Sequence, residues 1–186
     1  GFAKGLLEAN VAAFDPTAVD AIVVNSAGCG AALREADRMA PGAADAFAMK
    51  VRDVSEVVVE AGLPSGLGTI EATVCYDDPC HLVHGQGVAS PPREMLQAVP
   101  GLQLISHDDP GGCCGAAGIY NLTQPEMSQA VLARKLDSLG AADPDYIATG
   151  NPGCIMQLEA GVRARGMRAE VVHPIELIAR ALEAQR

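Results

Sequence analysis

The chain has 186 residues, 49% of them hydrophobic, which is enough to bury a sizeable core and too apolar for an intrinsically disordered chain. Thirteen Lys and Arg stand against twenty-three Asp and Glu, a net charge of −10, so the positive surface that nucleic acid or an anionic membrane demands is lacking. Partners are therefore expected among proteins and small molecules.

The first ten residues lack the basic-then-apolar layout of a secretory signal, and Gly1 is not an initiator Met, so a cytoplasmic chain cut from a longer one is expected. Leu7, Val11 and Phe14 fall at i, i+4, i+7 and predict a first helix. A strand is predicted over 21–25, followed by a turn at Gly28 and Cys29. Residues 61–69, with Gly62, Pro64, Ser65, Gly66 and Gly68, form a linker pattern, and the domain boundary is placed there, giving units 1–65 and 66–186. Strands are predicted next over 73–76, 102–106, 146–149 and 170–173. Helices fill the intervals, one with Leu132, Leu136 and Leu139 on its apolar face and a last one that starts at Pro174. The longest run free of charge and histidine, 110–125, is rich in Gly, Asn, Thr and Gln, so no bilayer-spanning segment is expected. Short strands alternating with helices predict an α/β fold of Rossmann-like βα units with mainly parallel sheets.

The pattern is written twice. Leu132, Leu136 and Leu139 stand 125 positions after Leu7, Val11 and Phe14, and the same shift carries Asp20 to Asp145, Ile22 to Ile147, Gly28 to Gly153, Cys29 to Cys154 and Leu33 to Leu158. Shifted back by 125, Cys113-Cys114-Gly115 falls before Gly1. The expectation is two pseudo-repeated units, the first truncated at its N-terminus and the second complete.

Six cysteines without a secretory signal point to metal or redox chemistry rather than disulfides. Cys29, Cys80, the Cys113-Cys114 pair and Cys154 each follow a predicted strand, where an open parallel sheet gathers its ligands. Cys80, Cys113, Cys114 and Cys154 suffice to hold an iron–sulfur cluster, and adjacent cysteines suit a polynuclear group because neighbouring side chains of an extended backbone point apart. Around the pair, Gly111, Gly112, Gly115 and Gly118 let backbone N–H groups approach sulfur or an anion. A plain glycine turn with two buried thiols is the alternative. Cys75, inside a strand, is expected in the core. His81 and His84 are candidates for a ligand or a proton, with solvation or capping as the alternative. His107, beside Asp108 and Asp109, is expected in solvent, and His173 at the ligand edge is a candidate outer contact. Tyr120 is a candidate proton donor with packing as the alternative. No dinucleotide fingerprint, Walker loop or Ser-His-Asp pattern is present.

Four ordered blocks carry a family resemblance: Asn25-Ser26-Ala27-Gly28-Cys29-Gly30, Asp78-Pro79-Cys80-His81-Leu82, Cys113-Cys114-Gly115-Ala116-Ala117-Gly118-Ile119-Tyr120 and Gly150-Asn151-Pro152-Gly153-Cys154. They resemble the cysteine-rich CCG domain shared by heterodisulfide reductase and the iron–sulfur subunits of glycolate oxidase and lactate utilisation, the glycolate oxidase branch most of all. The resemblance implies an electron-transfer subunit of a 2-hydroxy-acid oxidase that takes electrons from an FAD-binding subunit and passes them toward quinone or another acceptor, with at most peripheral association with the inner face of a membrane. It implies a 4Fe–4S cluster held by Cys80, Cys113, Cys114 and Cys154, with Gly112, Gly115, Asn151 and His81 around it and Cys29 in a second site completed by upstream residues. Two departures stand out. The ferredoxin-type cysteine runs that precede the repeats in that family are absent, so the chain alone is not expected to be active. Asn151 also takes the first place of the closing Cys-x-x-Cys pair. Two other classes stay open: thiol–disulfide chemistry at Cys113 and Cys114, and a zinc-stabilised interaction module using three cysteines and His81.

Overall fold

The computed structural model describes residues 1–42 and 44–185. Helix α1 (Phe2–Ala13) turns Leu7 inward, and β1 (Ile22–Val24) pairs in parallel with β2 (Val51–Asp53), Ile22 beside Val51. Between these strands run α2 (Ala27–Arg34), α3 (Ala36–Met39) and α4 (Asp45–Lys50), and α5 (Val54–Glu60) follows them. Leu7, Ile22, Ala36, Phe47 and Val51 form the core of this two-stranded unit.

Residues 61–69 carry neither helix nor strand. Then come β3 (Ala72–Tyr76), a π-helical turn (His81–Gly85), α6 (Pro91–Gln97), β4 (Leu102–Ile105), α7 (Tyr120–Thr123) and α8 (Pro125–Ala142). The chain closes with β5 (Tyr146–Ala148), α9 (Pro152–Arg165), β6 (Glu170–Val172) and α10 (Pro174–Glu183). The four strands lie in the order β4-β3-β5-β6 and every pairing is parallel. Because successive strand residues face opposite ways, Cys75, Ile147 and Val171 pack with Leu132, Leu136 and Leu158, while Val74, Ala148 and Val172 pack with Met95, Leu96 and Leu177 on the other side. Both faces are covered, as a parallel sheet requires.

The expected α/β class with parallel sheets and repeated βα units is what the chain adopts. Strand β2 escaped the pattern, since Val51-Arg52-Asp53 has a single apolar residue and no alternation to read. The recurrence at 125 positions is visible in three dimensions: α2 begins at Ala27 and α9 at Pro152, each just beyond a strand.

The helices after β2 and β6 are also capped alike. The Asp53 side chain accepts from the Ser55 N–H at 2.9 Å while Glu56 accepts from the Asp53 N–H at 2.9 Å. His173 Nδ1 accepts from the Ile175 N–H at 3.2 Å, and Glu176 closes the same box. Burial holds the His173 pKa below its ordinary 6.5. A histidine whose pKa is depressed by folding contributes stability above its unfolded pKa and loses it as pH falls, and protonation of Nδ1 also removes the cap acceptor. Unfolding free energy, followed by urea titration, should therefore drop from about pH 7 to about pH 5. His173→Asn, which keeps a cap acceptor but does not titrate, should lose distinctly less over that range. Parallel pH profiles for the two proteins would contradict this.

Candidate metal centre

Strand order decides where this sheet receives a ligand. After β3 the chain turns to β4 on one side, and after β5 it turns to β6 on the other, so a crevice opens between the carboxyl ends of β3 and β5. Cysteines arrive there from three loops. Cys80 comes from the loop after β3, Cys113 and Cys114 from the loop after β4, and Cys154 from the first turn of α9 after β5, and all four line one small pocket.

Each loop is held by bonds that its sequence supplies. The Asp77 N–H donates to the Ala148 carbonyl at 2.9 Å and the Asp78 N–H to the Pro110 carbonyl at 2.9 Å, which joins the ends of all three strands. Arg93 grips the Asp78 carboxylate with two bonds, 2.7 and 2.6 Å, while its guanidinium lies over the Tyr76 ring. Lys135 of α8 is fully buried, with Nζ 2.6 Å from Asp77 Oδ1 and bonded to the Asp109 carbonyl. Burial raises the Asp77 pKa to about 6, against the opposing pull of Lys135.

The Cys113-Cys114 turn depends on Gly115, whose φ is +92° and where a Cβ would lie 2.5 Å from the Ser128 carbonyl oxygen. No side chain fits that position. The Gly115 N–H points back to Cys113 Sγ at 3.3 Å, and Ser128 Oγ donates to the Gly115 carbonyl at 2.8 Å. The pair's side chains diverge as expected: Cys113 is exposed and Cys114 buried.

Cys114 Sγ donates to Cys154 Sγ at 3.1 Å, and Asn151 Nδ2 donates to Cys154 Sγ at 3.5 Å. The Cys114 thiol lowers the Cys154 pKa, with help from Asn151 and against burial. The bond to Cys154, followed by burial, pushes Cys114 up. Cys80 is raised by burial and then by the nearby Cys113 and Cys114. These influences show the sulfurs acting on one another as neighbours.

The pocket also takes in His81, Gly112, Gly118 and Asn151, together with Asp77, Asp78 and Ala117. His81 Nδ1 lies 3.6 Å from Cys80 Sγ. Cys29 is exposed on α2 and does not line the pocket, and neither does His84, which is exposed in the π-helical turn. Cys75 is fully buried in the core. His107 is not in solvent: it is only 8% exposed, with Nδ1 3.0 Å from Ser138 Oγ, because α8 packs over the loop. Tyr120 starts α7 outside the pocket, and His173 is a helix cap. Lys135 escaped the sequence reading, although a lysine between Leu132 and Leu136 on an apolar helical face is a readable sign of a buried charge.

The chain has relatives among known proteins. A family model, the cysteine-rich CCG domain, matches residues 2–34 and 74–159. The probable glycolate oxidase iron-sulfur subunit of Bacillus subtilis is 35% identical over 96% of this chain and 42% of its own length. The glycolate oxidase iron-sulfur subunit of Escherichia coli is 32% identical over 97% of the chain and 46% of its own. One subunit of the fumarate reductase (CoM/CoB) of Methanothermobacter marburgensis is 29% identical over 86% of the chain and 32% of its own. The chain thus spans less than half the length of these relatives.

Removing Lys135 should be costly because Asp77 would be left buried without its partner. Lys135→Met is expected to lower the unfolding free energy at pH 7 by about 3–5 kcal/mol in urea titration. The double variant Lys135→Met/Asp77→Asn should recover part of the loss. A drop under about 1 kcal/mol for the single variant would mean that the pair does not hold the loops.

Proposed function

Because this chain belongs to the cysteine-rich CCG domain family, we propose that it is the cysteine-rich part of an iron–sulfur electron-transfer subunit of a glycolate or lactate oxidase complex. In that role it takes electrons from an FAD-binding partner and passes them toward quinone or another acceptor. Residues 1–65 then stand as the later part of a first CCG repeat and residues 66–186 as a complete second one. The observation that carries the reading is the convergence of Cys80, Cys113, Cys114 and Cys154 from three separate loops on one pocket at the sheet's switch point.

The donor set fits the group. Four thiols line one pocket there, and two of them come from adjacent residues whose side chains diverge, which suits a polynuclear group better than a single tetrahedral ion. When bound, an iron–sulfur cluster, of the 4Fe–4S type on this reading, supplies one-electron storage at a potential set by its protein surroundings. The chain's residues do the rest. Cys80, Cys113, Cys114 and Cys154 would ligate the cluster, the Gly115 N–H bonds sulfur at Cys113, and Gly112 leaves room for the Asp109 carboxylate, which a Cβ there would overlap. His81 stands beside Cys80, where it can hold a proton near that sulfur. Cys29, exposed on α2, is assigned to a second site that upstream residues complete. Among the described residues no helix is long and apolar enough to cross a membrane. On this reading, contact with a membrane acceptor is at most peripheral.

A second reading, thiol–disulfide chemistry, draws on the 3.1 Å approach of Cys114 Sγ to Cys154 Sγ. Anaerobic reconstitution of the chain with iron and sulfide separates the two. The electron-transfer reading expects a coloured protein with about four iron and four sulfide per filled site. Cys114→Ser and Cys154→Ser should each lower that content severalfold, and Cys75→Ser should leave it unchanged. A chain that binds no iron but reduces a small disulfide as Cys114 and Cys154 are themselves oxidised to a disulfide, with an added dithiol restoring both thiols, would favour the second reading.

A further inference from the structure

Helix α2 belongs to the two-stranded unit, yet its first turn is bonded to loops of the four-stranded one. The Ala27 N–H donates to the Gly150 carbonyl at 3.0 Å, and Gln86 Nε2 donates to the Ala27 carbonyl at 2.9 Å. Gln86 follows the π-helical turn that begins beside Cys80, and Arg34 at the far end of α2 donates to its carbonyl at 2.7 Å. The contact is close enough that a Cβ at Gly30 would come 2.5 Å from Gln86 Nε2.

At the centre of this junction is Asn151. It occupies the N-cap of α9, where an asparagine ordinarily turns its oxygen back to the first N–H groups of its own helix. Here it makes no such bond. Its Oδ1 instead accepts from the Gly28 N–H of α2 at 3.1 Å, and its Nδ2 donates to Cys154 Sγ at 3.5 Å. The two bonds fix the amide's orientation together: flipped, it would set an NH₂ against the Gly28 N–H and an oxygen against the sulfur.

We propose that Asn151 is a positioning residue whose amide, oriented by the Gly28 N–H of α2, holds the Cys154 sulfur by a hydrogen bond and so ties that ligand to the two-stranded unit. Its consequence for electron transfer rests on the iron–sulfur reading, since a donor to sulfur favours the reduced state. The clamp itself does not rest on that reading.

Hydrogen exchange by NMR on the metal-free chain tests the clamp. The Gly28 amide should exchange at least roughly tenfold faster in Asn151→Leu than in the parent chain or in Asn151→Asp, which keeps the acceptor. The Asn151 side-chain amide protons should exchange faster in Cys154→Ala while Gly28 stays protected. Equal side-chain exchange with and without the Cys154 sulfur, or a Gly28 amide indifferent to Asn151→Leu, would overturn the proposal. In the reconstituted chain, Asn151→Leu and Asn151→Asp should both shift the midpoint potential downward, although only Asn151→Leu releases Gly28. An unchanged potential in both would overturn the role at sulfur. Should the parent chain take up no iron, the electron-transfer reading fails, and the exchange rates still decide the clamp.

Discussion

One buried ammonium group organises the sulfur-bearing loops. Lys135 reaches from α8 to the Asp77 carboxylate and the Asp109 carbonyl, with the side chains of the ion pair 0% and 1% exposed. Asp77 opens the stretch that leads to Cys80, and Asp109 the stretch that leads to Cys113. A charge stripped of water and then unpaired costs several kcal/mol, so neither stretch can leave the helix without that penalty. The Asp78 N–H on Pro110 adds a second tie between the same loops, and Arg93 on Asp78 a third. Sulfurs from positions 80 and 113–114 can therefore share a pocket without a disulfide to join them.

The repeated architecture adds a second constraint. Equivalent ends of the two units face each other: α2 and α9 both begin just beyond a strand, and the cap of one meets the first turn of the other through Asn151 and Gly28. The second pair of caps makes no direct bond, but the Asp53 charge opposes in part the burial that lowers the His173 pKa. The polar groups at these strand ends thus answer one another across the junction, and the two-stranded unit helps to shape the pocket without contributing a cysteine to it.

Much of this was legible in the sequence, because the features concerned are local. Strand positions follow β-branched runs, the α8 face follows the Leu132, Leu136, Leu139 spacing, and the convergence of cysteines follows from their places after parallel strands. What could not be read depends on partners far along the chain. His107 looked solvated because its neighbours are acidic, but Ser138, thirty-one residues later, covers it. The split roles of His81 and His84 depend on a π-helical turn that no simple periodicity encodes. The strand order that creates the crevice is likewise a property of the whole sheet.

Charge balance explains how such a pocket can form ahead of any ligand. Its sulfurs are buried or half-buried apart from Cys113; burial raises the pKa of Cys80, and the bond to Cys154 followed by burial raises that of Cys114, which favours neutral thiols there. Cys154 is held down by two donors, so any thiolate that forms there is already bonded. The buried cation, Lys135, is matched by Asp77, and the Asp77 charge adds a small push toward the neutral thiol at Cys114 and Cys154. A metal that binds such thiols must displace their protons, so on the iron–sulfur reading loading releases acid and weakens as pH falls. The fold thus sets four thiols at one sheet edge beside two carboxylates, Asp77 and Asp78, that are each paired with a cation in a chain of net charge −10.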